Sequence, residues 1–86
     1  MRIVYLDQNK WIDLARAAKS PADFPGLYRV LESLDSEVVA GRLAVPLSAS
    51  NIYETHKINN PQRRSDVALL QSILSRGLVP GAAQAA

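Results

Sequence analysis

The sequence predicts an α/β fold in which a short parallel sheet is linked by helical crossovers, in the order β-α-α-β-α-α. Three observations lead to it. Two short runs, 2–6 and 43–47, are dominated by β-branched, aromatic and large aliphatic residues, as strands are. The stretch between them has helical periodicity and is far too long for a hairpin, so the strands run parallel. A further helical stretch follows the second run, as in repeated strand–crossover units.

The first strand, Ile3-Val4-Tyr5-Leu6, stops at Asp7-Gln8-Asn9, polar residues able to start a helix. A first helix over 10–19 would present Trp11, Leu14, Ala15 and Ala18 on one face, and Ser20-Pro21 breaks it. In a second helix over 23–40, Phe24, Leu27, Tyr28, Leu31, Leu34 and Val38 recur at steps of three and four, with Gly41 as its stop. The second strand contains Pro46, which lacks a ladder donor and therefore belongs at the strand's end. Ser48 is the expected N-cap of a third helix reaching Asn59-Asn60. Pro61 opens a fourth, with Val67, Leu70, Ile73 and Leu74 as its apolar stripe and Gly77 as its stop. Leu78-Val79-Pro80 could begin a third strand, and 81–86 read as a tail without pattern. Two strands make a poor parallel sheet, so residues 1–80 are expected to form an incomplete α/β unit.

Composition excludes several classes. With 86 residues the chain allows one domain at most, and 48% hydrophobic against 21% charged residues is an ordinary globular balance. No apolar run reaches the length of a membrane helix, and the apolar N-terminal run is too short for a signal peptide, so a cytoplasmic protein without a membrane partner is expected. The absence of Cys excludes disulfides and thiolate zinc sites. A net charge of +2 does not by itself imply a nucleic-acid partner.

The position of Asp7 carries the chemistry. It ends the first strand of a parallel sheet, where ligands of open α/β folds bind, although a cap on the first helix would explain it as well. No Gly follows it, which excludes phosphate-cradling and dinucleotide loops. A phosphatase of the haloacid dehalogenase type needs a second Asp two residues on, where Asn9 stands.

Leu6-Asp7-Gln8-Asn9-Lys10-Trp11 resembles the opening of PIN domains, a strand ending in Asp-x-Asn before an amphipathic helix. Leu47-Ser48-Ala49-Ser50-Asn51-Ile52-Tyr53-Glu54 resembles that family's second motif, a strand, a small hydroxyl residue and a helix bearing a Glu. The order of elements is similar too, up to about Val79. The resemblance implies a PIN-like ribonuclease dependent on Mg²⁺ or Mn²⁺, with Asp7 and Glu54 as catalytic metal ligands and Asn9 in support. RNA would be the substrate; Lys57, Arg63 and Arg64 are candidate phosphate contacts, and a solvated face would explain them equally well. The family draws further Asp residues from beyond the fourth helix. Here only Asp66 follows Glu54, at a place that does not match, so the expectation is an N-terminal portion that is inactive alone. An interrupted chain, completion by a partner and a degenerate remnant would each explain this, and the alanine-rich end favours interruption. The alternative is a non-catalytic interaction module whose apolar faces and open strand edge meet an antitoxin-type protein or a second copy.

Overall fold

The computed structural model describes residues 1–77, and the expected third strand and tail lie outside them. The element order is as expected: β1 (Arg2–Ile3), α1 (Gln8–Lys19), α2 (Pro25–Val39), β2 (Leu43–Ala44), α3 (Ala49–His56) and α4 (Pro61–Ser75). The strands pair in parallel, Arg2 opposite Leu43 and Ile3 opposite Ala44. The backbone N–H groups of Arg2 and Val4 donate to the carbonyls of Arg42 and Ala44, at 3.1 and 2.9 Å. Both strands are shorter than the apolar runs that predict them. In β2, regular pairing ends two residues before Pro46, which has no N–H to give, although Val45, Pro46 and Leu47 remain buried.

Parallel register puts Val4 and Leu6 on the same sheet face as Leu43, Val45 and Leu47, and that face meets the core. The core joins it to Trp11, Leu14 and Ala15 of α1, Leu31 and Val38 of α2, and Val67, Leu70 and Leu74 of α4. Ile3 and Tyr5 point to the opposite face and are exposed.

Two stripes differ from the periodic reading. Helix α1 packs against both α2 and α4, so its buried arc widens to include Ala17, while Ala18 is exposed. On α4 the exposed residue is Ile73, and its place on the buried face is taken by Gln71. Helix α2 starts at Pro25, with Phe24 as a cap that makes no side-chain bond, and α3 ends at His56, four residues before Asn60. Asn60 instead caps α4, its Oδ1 accepting the N–H groups of Gln62 and Arg63. No helix among the described residues is long and apolar enough to cross a membrane.

Candidate active site

Parallel strands that each lead into a helix bring the starts of α1 and α3 to one edge of the sheet. Asp7 and Ser48 are the two caps there. Asp7 Oδ1 accepts the Lys10 N–H at 2.9 Å, so the carboxylate does serve as the N-cap of α1, with its second oxygen making no hydrogen bond among the described residues. Ser48 Oγ accepts the Asn51 N–H at 3.1 Å while Asn51 Oδ1 accepts the Ser48 N–H at 3.3 Å, a reciprocal capping box.

A side chain the sequence reading did not single out ties these caps together. Gln8, the first residue of α1, accepts from Asn51 Nδ2 at 3.3 Å and donates through Nε2 to Thr55 Oγ1 at 2.9 Å. The Thr55 hydroxyl in turn donates to Gln71 Oε1 of α4 at 2.9 Å. Asn51, Thr55 and Gln71 are all buried, so α1, α3 and α4 meet through polar groups at this edge. The signal was present in the sequence. Asn51 and Thr55 stand four apart on one helix face, and Gln71 lies four after Val67 and three before Leu74, inside an apolar stripe.

Asp7 and Glu54 flank this junction. Asp7 precedes Gln8 in the chain, and Glu54 precedes Thr55. Both are exposed, and the Glu54 side chain makes no hydrogen bond among the described residues. Asn9 is exposed in the first turn of α1. Lys57, the C-cap of α3, holds its ammonium 4.7 Å from the centre of the Tyr53 ring, a cation–π contact. Among the described residues no three carboxylate or imidazole groups gather as a metal cluster.

The two arginines part company. Lys19 Nζ pairs with Asp66 at 3.2 Å, whereas Gln8 reaches Gln71 through Thr55, so α1 and α4 run antiparallel. Arg63, one turn before Asp66, therefore stands beside the last turn of α1, about 15 Å of helix from Asp7. It shares a cleft there with Arg16, Lys19 and Asp66. Arg64 is half-buried and donates from Nη1 to the Ile58 carbonyl at 3.0 Å, fastening the α3–α4 connection.

The clear electrostatic shifts also lie away from the Asp7 edge. A hydrogen bond from Gln62, and then one from Lys19, hold the Asp66 carboxyl below its ordinary range. The bond from Arg42, at 2.6 Å, does the same for Glu37 where α2 turns into β2.

The class that fold and site define is thus a small α/β unit with a parallel strand pair and a buried amide–hydroxyl junction between α1, α3 and α4. No family model matches the chain, and no curated protein or solved structure matches it significantly.

Proposed function

We propose that this chain carries the first two acids of a PIN-like, metal-dependent ribonuclease, with Asp7 and Glu54 as ligands of Mg²⁺ or Mn²⁺ and RNA as substrate. The observation that carries the reading is the Gln8 bridge to Asn51 and Thr55, which draws the start of α1 against α3. Asp7 and Glu54 are the chain neighbours of the bonded pair Gln8 and Thr55. The donor set suits the ions, since hard cations take carboxylate and water oxygens, and Asp7 keeps one oxygen beyond its cap. A bound cation would lower the pKa of an attacking water and offset phosphoryl charge. The chain's own part is to hold the two carboxylates. Helix capping fixes Asp7, and the Asn51–Gln8–Thr55 bonds fix the approach of α3. In this reading Asn9 supports the loop, Lys57 offers a cation beside α3, and Arg63 and Arg64 reach outlying RNA phosphates.

Mn²⁺ titration followed by NMR tests it. Paramagnetic broadening should centre on residues 7–9 and 51–54 and vanish in both Asp7→Asn and Glu54→Gln. Asn at position 7 keeps the capping oxygen, so the first variant should melt with the wild type. Broadening spread evenly over all surface acids would refute the assignment. With two carboxylates ordering the cation, cleavage of labelled RNA should be slow or absent, and fast cleavage that survives Asp7→Asn would also overturn it.

Exposed Ile3 and Tyr5 on the uncovered sheet face, with Leu69 and Ile73 on α4, favour a second reading, a protein-interaction module. Sedimentation of the wild type and of Ile73→Glu decides it. A dimer lost in the variant supports a module that meets a second copy, and a monomer in both removes that form of it.

A further inference from the structure

A cleft of about 430 Å³ lies between α3 and α4, within the size range of small-molecule sites. Gln71 is part of its wall and is only 3% exposed, yet its Nε2 is a buried donor without an acceptor. The Ser48 backbone N–H can only donate, which obliges Asn51 to present Oδ1 to it and Nδ2 to Gln8. Gln8 must then accept with Oε1 and donate with Nε2 to Thr55, whose hydroxyl passes its hydrogen to Gln71 Oε1. Turning any of the first amides would set donor against donor. The directions are thus fixed from the α3 cap as far as Thr55; a hydroxyl can both donate and accept, and Gln71 takes the Thr55 hydrogen on Oε1, which leaves its Nε2 without a partner.

The cleft around this donor is built for a negative acceptor. No acid is among the described residues that line it, while Arg64 and His56 do. Among the described residues no carboxylate pairs with Arg64, whose one hydrogen bond goes to a backbone carbonyl. Arg64 lies two helical turns from Gln71, so it acts as a charge at the far end of the cleft rather than as a second bond to the same oxygen. Ser65 and Ser72 add hydroxyl donors, and Leu47, Ile52 and Ala68 supply an apolar wall.

We propose that the α3–α4 cleft binds an organic carboxylate, one oxygen of which accepts the Gln71 Nε2–H while its hydrocarbon part lies on Leu47, Ile52 and Ala68. Nε2 is shielded without ligand, so entry of the oxygen needs a local opening of the cleft wall at Gln71, while the eight-residue α3 stays held by its capping box and by Thr55. The site is separate from the Asp7 and Glu54 rim and stands whether or not that rim binds a cation.

The test is a titration of ¹⁵N-labelled protein with phenylacetate, phenylacetamide and inorganic phosphate, reading the Gln71 side-chain NH₂ resonances. Phenylacetate should move them saturably, and the neutral amide should bind about tenfold more weakly, as expected when the acceptor loses its charge. Arg64→Gln should weaken phenylacetate by about threefold, the size of a screened charge at that range. Gln71→Met, which keeps the shape and removes the donor, should weaken it by about tenfold. Should that variant lose its dispersed spectrum, Ala68→Leu narrows the cleft from an exposed position and should block binding. The proposal is overturned if the Gln71 NH₂ resonances do not move, if Gln71→Met or Ala68→Leu binds as the wild type does, or if phosphate binds as tightly as phenylacetate.

Discussion

Replacing Asn51 by alanine removes the one side chain that joins the α3 cap to α1. Asn51 is 6% exposed and makes two side-chain bonds at 3.3 Å, one from the Ser48 N–H and one to Gln8 Oε1. Both are long, so each is worth about 0.5–1 kcal/mol net, the lower half of the usual range. The Ala variant also leaves Gln8 Oε1 without its donor in a half-buried place, at about 1 kcal/mol. Against this, alanine is the better helix former by about 0.6 kcal/mol. The balance is a loss of about 1.5–2.5 kcal/mol, or about 10 °C in Tm for a chain of this size. Urea unfolding followed by the fluorescence of Trp11 gives the number directly, because Trp11 is the sole Trp and fully buried. A cycle with Gln8→Ala separates the bridge from the cap. The two changes should couple by about 0.5–1 kcal/mol, whereas Gln8→Ala should not couple to Asn60→Ala in the α4 cap. Coupling within about 0.3 kcal/mol of zero between Gln8 and Asn51 would refute the bridge.

Two more outcomes follow from single residues. Gly41 has φ +77° with nothing within 4 Å of where a Cβ would stand, so Gly41→Ala should cost about 1 kcal/mol from backbone strain alone, seen as a lower urea midpoint at unchanged slope. Asp66, whose folded pKa is lowered by Gln62 and Lys19, stabilises the fold above its unfolded pKa of about 4, and that gain is lost as pH falls through the folded value. The difference between wild type and Asp66→Asn in urea midpoint should therefore be full near neutrality and shrink below about pH 4. A difference that is constant with pH would show that the Asn variant acts by something other than the charge.

The elements were legible in the sequence because each is announced locally. Ser48 caps α3, Pro61 opens α4, and Gly41 takes the positive φ that ends α2, although at the end of α4 Arg76 enters the left-handed region one residue before Gly77. Boundaries set by tertiary pairing were less legible. The strand runs contain no mark for where the ladder stops, and α1 shows no local sign that two helices flank it and bury Ala17. Periodicity also assigns Ile73 to the core by its chemistry, while the fold gives the buried place to Gln71, which is justified by a partner on another helix. At the rim, Asp7 was legible in position and in both of its possible roles, and its bond to the Lys10 N–H establishes the capping one. The members of the amide–hydroxyl junction left a mark in their spacing, but their bonds did not, because what a buried Gln or Asn pairs with depends on neighbours in space rather than in sequence.

The junction also fixes alignment in a way that hydrocarbon contacts cannot. Leucine and valine faces accept a neighbour displaced by one turn with modest loss, since one methyl group serves much like another. A displacement of about 5.4 Å along α4 would instead move Gln71 off Thr55 and leave hydroxyl and amide groups buried and unmatched at both helices. The four polar residues thus work as a key to a single setting of α1, α3 and α4.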